Sequence, residues 1–281
     1  MNKIIFSDNG TLIDHSANIE DYFSSATVID YTKDEDYIFV GSELPFNSIY
    51  VDVSVPNDIA SAIKVEYWET SRWRSMVEVI DETMTSGKSL SQSGHITWVP
   101  DRLYGWGKDD TVTSSGTEEV TGLGDVTIYD LYWIRLSFSE TITATTALKW
   151  AGQTFCSSDD VEGEYRLFAN TTFKTNYEAS KTSWDKEIVL ASRLLVDDII
   201  SKGSIISGNQ LLKRRLLRDA CVSKVAELVF KNLGDDYKDD YERAQKEYSA
   251  RLTRNNYGAD LNNDAIVDPN EKGVQTGVLY R

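Results

Sequence analysis

The sequence predicts an α+β protein, with an antiparallel β-sandwich followed by a small antiparallel α-helical bundle and an extended C-terminal arm. From about Thr27 to Phe155, strand-forming residues recur with a period of two between turn residues. After Ser183 the apolar period changes to that of an α-helix. The chain has 281 residues, of which 41% are hydrophobic, so we expect two domains with cores of their own.

Eight segments of the first half have the pattern of β-strands. In residues 63–69 apolar and charged residues alternate, which places one face on a core and the other in water. Adjacent residues on a strand point to opposite faces, so one ring of Tyr67-Trp68 and one of Tyr132-Trp133 should lie between the sheets. The predicted strands are Val28–Tyr31, Tyr37–Val40, Ile49–Val53, Ala62–Trp68, Trp73–Val79, His95–Val99, Val126–Phe138 and Leu148–Ala151.

Three amphipathic helices are predicted in the second half: 184–202, 209–233 and 235–254. Asn209 is the expected N-cap of the second helix, and Gly234 stands at its C′ position. A turn of one glycine makes the last two helices an antiparallel hairpin. The apolar stripes are Ile188, Ala191, Leu195 and Ile199 in the first helix, Leu212, Leu216, Ala220, Val225 and Leu228 in the second, and Tyr237, Tyr241, Ala244, Tyr248 and Leu252 in the third.

These patterns divide the chain into five segments. No apolar run approaches the roughly 20 residues that span a bilayer, and the start lacks the apolar stretch of a signal peptide. We therefore expect a soluble protein without a membrane partner, made in the cytoplasm. The segments are an N-terminal extended segment (1–26), a β-sandwich domain (27–156), a linker (157–183), a helical domain (184–254), and an Asp/Asn-rich turn with a C-terminal arm (255–281).

The charge and the rarity of catalytic residue types argue against several functional classes. A formal charge of −16 disfavours non-specific attraction to DNA or to an anionic membrane. The chain contains two histidines, His15 and His95, and no GxSxG, P-loop, GxGxxG or HExxH motif, so we predict that it is not an enzyme. Asp159-Asp160 lies in a polar run typical of a linker. Cys156 and Cys221 lack the spacing of a zinc site and are predicted to be free core thiols.

A basic cluster interrupts the otherwise acidic chain. Residues 202–254 contain twelve Lys/Arg against eight Asp/Glu, although the whole chain is acidic. The cluster could meet phosphates, or it could form ion pairs between subunits, while the acidic remainder keeps the protein in solution. The residues predicted at a subunit interface are Lys213, Arg214, Arg215 and Arg218.

The sharpest local motif is an Asp/Asn-rich run, 260–271, with oxygen ligands spaced like those of an EF-hand calcium loop. Ala265 stands where an EF-hand has glycine, and no helical pattern follows Glu271. Asp-rich turns also occur in solvated linkers without metal. Calcium and a metal-free turn both remain open, and no cofactor is required. The candidate ligands are Asp260, Asn262, Asp264, Ile266 (through its backbone carbonyl), Asp268 and Glu271.

Aromatic residues crowd the predicted sandwich, and core packing accounts for most of them. Tyr104 and Trp106, in the Gly-flanked turn LYGWG, are the two that we expect to be exposed. Exposed rings can stack on sugars. A carbohydrate-binding module is therefore the alternative function, with Tyr104 and Trp106 as its sugar-binding residues.

Several runs of the sequence carry a resemblance to virion proteins. Residues 211–220 (LLKRRLLRDA), 225–230 (VAELVF) and 234–237 (GDDY) lead into the third helix and a tail that ends GVLYR. Together, over about 184–281, they resemble the head-to-tail connector proteins of tailed bacteriophages, also called neck adaptor or head-completion proteins. The first half resembles sandwich domains of virion structural proteins, of the jelly-roll or galactose-binding-like kind, in the runs VGSELPFN (40–47), VEYW (65–68), SGHITW (93–98) and IYDLYWIRL (128–136).

The connector resemblance implies a structural protein of the virion neck, at the head-to-tail interface. It implies a homo-oligomeric ring, dodecameric in this family, between the portal protein and the tail or a further neck protein. DNA would pass through the channel without sequence-specific binding. The sandwich would project outward as a collar. In the alternative function, the resemblance implies a carbohydrate-binding module of a phage surface or tail protein. The C-terminal arm would dock on the portal through Val274, Val278, Leu279, Tyr280 and Arg281.

Overall fold

A computed structural model describes residues 3–69, 71–99, 106–108, 120–123, 131–203, 205–254, 257–264, 266–268 and 271–274. The chain divides into two compact units. The β unit comprises Met1–Gly152 and Asn263–Ile266, and the helical unit comprises Gln153–Asn262 and Val267–Arg281. The α+β class predicted from the sequence is confirmed. Over these described ranges, every helix is too short or too polar to cross a membrane.

Two antiparallel sheets form the β unit. Its strands are β1 (Lys3–Asp8), β2 (Thr11–Asp14), β3 (Thr27–Val28), β4 (Tyr37–Ser42), β5 (Ser48–Val55), β6 (Ile63–Glu69), β7 (Arg72–Ser75), β8 (Val77–Asp81), β9 (Gly94–Val99), β10 (Tyr132–Phe138) and β11 (Ala147–Gly152), with a short helix α1 (Ser16–Glu20). The six-stranded sheet has the order β2-β1-β4-β10-β6-β7, and the five-stranded sheet has the order β3-β11-β5-β9-β8. Between neighbouring described strands, all pairings in both sheets are antiparallel.

The two sheets share one hydrophobic core, to which residues of most strands contribute. On β6, Val65 and Tyr67 enter this core, whereas Trp68 lies on the other face of the sheet in a second cluster with Trp133. The predicted split of Tyr67 and Trp68 between two faces is confirmed, and the outer ring is buried as well. The shared core includes Ile4, Ile38, Val40, Ile134 and Leu136 from the six-stranded sheet and Ile49, Val51, Ile96, Trp98 and Leu148 from the five-stranded sheet.

Strands β1 and β2 belong to the six-stranded sheet, so the prediction of a separate extended segment over 1–26 is wrong. β1 pairs with β4, with Ile5 opposite Phe39, and β2 completes a hairpin with β1. Asn9 and Gly10 form the turn with φ of 44° and 82°, the left-handed conformations that a two-residue hairpin requires. Asn-Gly is a strong hairpin motif, so the sequence did contain a signal for these strands.

The predicted strand Trp73–Val79 is two strands that belong to different sheets. β7 pairs with β6, whereas β8 pairs with β9. Met76 lies buried between them, and Glu78, with φ of 51°, accompanies a shift in the register of β8. A pattern of period two continues through such a crossing because alternation records which residues are buried, and not which sheet buries them.

The helical unit contains five α-helices among its described residues, and one hydrophobic core connects them. The helices are α2 (Ser158–Glu164), α3 (Thr171–Tyr177), α4 (Asp185–Ser201), α5 (Arg214–Leu233) and α6 (Lys238–Arg254), with 3₁₀ turns at Arg166–Ala169, Gly208–Gln210 and Asp235–Tyr237. Two short strands, β12 (Tyr257–Gly258) and β13 (Lys272–Val274), pair antiparallel after α6.

The predicted linker 157–183 is part of the helical unit, which begins at Gln153. α2 and α3 lie in it, and Val161, Phe168 and Phe173 are buried in the core of the unit. Ser157 and Asp160 form a capping box that begins α2. The run is polar in sequence because each short helix turns only one or two apolar residues inward.

α5 and α6 form an antiparallel pair. The Nζ atom of Lys224 lies 4.5 Å from the ring centroid of Tyr248, and Arg251 donates a 2.9 Å hydrogen bond to the carbonyl of Asp219. Contacts therefore move backwards along α5 as they move forwards along α6. Gly234 ends α5, where the sequence predicted the end of the helix, and it is the C-cap residue with φ of 82° and not the C′ residue. The stripe predicted on α6 is confirmed, with Ala244, Tyr248 and Leu252 buried and Tyr237 and Tyr241 packed against the same core.

The start and the phase of α5 differ from the prediction. Asn209 lies in a 3₁₀ turn that Ser207 caps, and α5 begins at Arg214. Leu217 is fully buried, whereas Leu216 is 43% exposed. The predicted apolar stripe was counted from Leu212, which is buried but precedes the helix. Counting in helical steps from a residue outside the helix selected Leu216 as buried and missed Leu217.

Candidate functional site

Arg218 of the predicted subunit interface is engaged within its own chain. Its Nε donates to Oδ1 of Asp160 at 2.6 Å, and its Nη1 donates to Asp219 at 2.9 Å. Burial would raise the pKa of Asp160, but hydrogen bonds from Arg218 and Ser157 outweigh burial and lower that pKa. The ion pair joins α2 to α5. Asp160 of the Asp159-Asp160 pair and Arg218 of the basic cluster therefore form an ion pair within the chain.

The other basic residues surround the first turn of α5, and we call Lys213, Arg214, Arg215 and Leu216 the α5 patch. Lys213, Arg215 and Leu216 are exposed and Arg214 is half-buried. The amino end of a helix carries a partial positive charge, so cations there are unfavourable by about 0.3–1 kcal/mol each. The α5 patch thus concentrates positive charge at the positive end of the helix dipole.

An acidic surface lies at the other end of the same helix pair. Asp235, Asp236 and Asp239 are exposed where the chain leaves α5 and enters α6, and we call them the α6 patch. Since α5 has 20 residues at 1.5 Å each, roughly 30 Å separates the two ends. Opposite charges therefore occupy opposite ends of the α5–α6 pair.

The Asp/Asn-rich loop is held by the carboxylate of Glu271. Its Oε1 accepts hydrogen bonds from the backbone N–H groups of Leu261 at 3.0 Å and Asn262 at 3.2 Å, and its Oε2 accepts from Asp268 at 2.9 Å. Asp264 accepts from the N–H of Ile266 at 2.9 Å. Both oxygens that would bind calcium in an EF-hand thus face backbone hydrogens. Ala265 lies outside the described residues.

Calcium binding at this loop stays a prediction, and the hydrogen bonds to Glu271 indicate that its affinity would be low. Where the chain is described, no three His, Cys, Asp or Glu side chains are grouped to hold a metal ion. Calcium would have to displace the amide hydrogens from Glu271 before it could bind. We therefore expect calorimetric titration with calcium to detect no binding with a dissociation constant below about 1 mM. Micromolar binding with one ion per chain, lost in Glu271→Gln, would contradict this expectation.

Trp106 of the predicted sugar-binding pair lies among other rings. It is half-buried, and its Nε1 donates to the carbonyl of Trp133 at 3.1 Å. Tyr104 lies outside the described residues, so carbohydrate binding by the pair stays a prediction. The rings around Trp106 are Phe46, Tyr67 and Tyr132, at centroid distances of 5.3, 6.3 and 5.8 Å.

One residue of the predicted portal-binding arm, Val274, belongs to a strand. Val274 is the last residue of β13, where it pairs with Tyr257 of β12. Its backbone therefore belongs to the helical unit and not to a free arm. Val278, Leu279, Tyr280 and Arg281 lie outside the described residues.

Two arrangements of functional side chains were not foreseen from the sequence. Glu66 is buried between Arg135 and Lys64, and the sulfur atoms of Cys156 and Cys221 are 3.1 Å apart. Glu66 and Arg135 belong to the faces of β6 and β10 that the alternation of apolar and charged residues placed in water, so this pattern did not indicate that Glu66 would be buried. Nothing in the local sequence indicates that the two cysteines meet.

Comparisons with known proteins do not place the chain in a family: no family model, no curated protein and no solved structure matches it. Its function has to be inferred from its own residues.

Proposed function

We propose that this protein is a structural component of a tailed-bacteriophage virion, a neck adaptor that forms a homo-oligomeric ring between the portal and the tail. In this proposal the two sheets stack as a β-sandwich, of the jelly-roll or galactose-binding-like kind, that projects as a collar. The helices form a small bundle that contacts neighbouring copies around a channel for DNA. The protein acts through its surfaces and needs neither catalysis nor a cofactor.

The α5 patch is the observation that supports this proposal most directly. Lys213 and Arg215 are exposed cations at the positive end of the dipole of α5, so a negative partner would stabilise them. The chain itself has a formal charge of −16, which makes a second copy a suitable partner. The exposed side chain of Leu216 adds an apolar contact at the same place.

The position of the α6 patch indicates how copies would associate. Two complementary surfaces at opposite ends of one helix pair favour a heterologous contact, in which each copy uses one surface on each side. Heterologous contacts close into rings when the rotation between copies allows it. An α5 patch on one copy and an α6 patch on the next would join neighbours in this way, consistent with the connector resemblance of these helices.

Charge reversal at the α5 patch tests the ring. The variant Lys213→Glu/Arg215→Glu is expected to weaken assembly roughly 10- to 100-fold, because attraction at each contact becomes repulsion. Native mass spectrometry and electron microscopy, with and without the portal protein, measure the assembly. Lys246→Glu, an exposed change in the middle of α6 and away from both patches, is the matched control and should assemble like the wild type.

A charge swap identifies the contact itself. Adding Asp235→Lys/Asp236→Lys to Lys213→Glu/Arg215→Glu should restore the ring, since the two surfaces then exchange their signs. Unchanged ring assembly in the Lys213→Glu/Arg215→Glu variant would contradict a contact between the α5 patch and the α6 patch. A wild-type protein that stays monomeric and does not bind the portal protein would contradict the adaptor function.

The C-terminal arm gives a second test of the same function. Because β13 ends at Val274, deleting residues 275–281 should leave the circular dichroism spectrum and melting temperature unchanged. The same deletion should abolish co-sedimentation with the portal, since Val278, Leu279 and Tyr280 are its apolar anchors. Replacing those three residues with serine in the full-length chain is the matched control and should reproduce the loss. Retained portal binding in either variant would exclude the arm as the docking segment.

A further inference from the structure

We propose that Cys156 and Cys221 are a redox-active dithiol that closes to a disulfide within the folded helical unit. Their sulfur atoms lie 3.1 Å apart, and both side chains have 0% exposure. Cys156 directly precedes the capping box of α2, and Cys221 lies in α5. A disulfide here would join the beginning of the helical unit to its longest helix.

The surroundings keep the two sulfurs together. The hydroxyl of Ser192, on α4, lies 3.4 Å from the sulfur of Cys221 and accepts a 3.3 Å hydrogen bond from the backbone N–H of Phe155. Three segments of the unit therefore meet at the thiols. A disulfide bond is about 2.0 Å long, so the sulfurs need to approach by roughly a further 1 Å.

The two thiols have different chemical roles. Burial raises the pKa of both, but hydrogen bonds from Cys156 and Ser192 outweigh burial at Cys221 and lower its pKa, whereas that of Cys156 is raised well above its ordinary value. Cys221 is thus the sulfur that more readily becomes the thiolate, which is the reactive form. Cys156 remains a thiol and is the resolving partner.

A peroxide supplies the oxidant for a balanced reaction. The Cys221 thiolate attacks hydrogen peroxide, which breaks the O–O bond, forms a sulfenic acid and releases hydroxide. The sulfur of Cys156 then attacks the sulfur of the sulfenic acid, so that the S–S bond forms and the S–O bond breaks. The departing hydroxide takes the proton of Cys156 and leaves as water. The two sulfurs together lose two electrons, and the peroxide is reduced to the level of water. Since both sulfurs are buried, the first step requires a local opening that admits peroxide.

Mass spectrometry of the native full-length chain tests the proposal. The protein is treated with hydrogen peroxide in buffer, then denatured and alkylated with iodoacetamide. We expect an intact mass lower by two hydrogens, with neither cysteine alkylated, and full alkylation of both after reduction with dithiothreitol. Cys156→Ser and Cys221→Ser, each treated in the same way, should not show the disulfide mass.

Two results would overturn the proposal. One is full alkylation of both cysteines after peroxide treatment of the folded protein. The other is a disulfide that forms only in denaturant, because the bond would then belong to the unfolded chain. Thermal melting gives an independent readout: closing the long loop between Cys156 and Cys221 should raise the melting temperature of the helical unit by roughly 10 °C. A lower melting temperature in the oxidised form would also contradict a bond that fits the native packing.

Discussion

Replacing Arg135 with alanine is expected to lower the free energy of unfolding of the β unit by about 3 kcal/mol. Arg135 on β10 lies directly opposite Glu66 on β6, and its Nε donates to Oε2 of Glu66 at 2.7 Å. Glu66 is only 6% exposed, so the substitution leaves a buried carboxylate with one partner fewer. The guanidinium also lies 4.6 and 4.9 Å from the ring centroids of Tyr37 and Trp73, and both cation–π contacts are lost.

Chemical denaturation followed by two probes assigns this loss to the correct unit. Tryptophan fluorescence reports mainly on the β unit, which contains six of the seven tryptophans, while far-ultraviolet circular dichroism follows the helices. Lys64→Ala is the matched control: Lys64 also bonds to Glu66, but its side chain is 56% exposed, so we expect a loss below about 1 kcal/mol. Equal losses in the two variants would contradict a special role for Arg135.

The same pair should make the stability of the β unit depend on pH. Burial raises the pKa of Glu66, but hydrogen bonds from Arg135 and Lys64 outweigh burial and lower that pKa below its ordinary value. Folding is therefore stabilised above the unfolded pKa, and this stabilisation is lost as the pH falls through the folded pKa. The difference in stability between the wild type and Glu66→Gln should accordingly be largest near neutral pH and shrink under acid.

Replacing Trp184 with alanine is expected to destabilise the helical unit by about 3–5 kcal/mol, because a large buried side chain is removed from its core. Trp184 has 0% exposure, its Nε1 donates to the carbonyl of Phe168 at 3.0 Å, and the two rings lie 4.7 Å apart. The Nζ of Lys181 lies 5.1 Å from the centroid of the same ring. This one side chain thus connects α4 to the 3₁₀ turn that precedes α3.

Circular dichroism during urea unfolding measures this effect. Trp184→Phe keeps a ring but loses the N–H donor, so it should cost less than the alanine variant. Leu190→Ala, also on α4 but 48% exposed, is the control and should change stability by less than about 1 kcal/mol. A Trp184→Ala variant as stable as Leu190→Ala would show that the helical core does not depend on this ring.

The sequence by itself determined the class of the fold and most of its regular elements. The alternation in β6, the stripe of Ala244, Tyr248 and Leu252, and the end of α5 at Gly234 all lie within a few residues of chain. Such patterns are readable because burial on one face of a strand or helix repeats with the geometry of that element. The motifs at Asn9-Gly10 and Ser157–Asp160 are equally local, but the predictions of an extended segment over 1–26 and a linker over 157–183 did not use them and were wrong there.

The tertiary structure alone decided which distant residues meet. Glu66 faces Arg135 because of the register between β6 and β10, and Cys156 reaches Cys221 because α2 packs against α5. The phase of α5 was also set by packing, since buried Leu212 precedes the helix. Periodicity records that a residue is buried but not what buries it, because pairing depends on contacts between segments far apart in the chain.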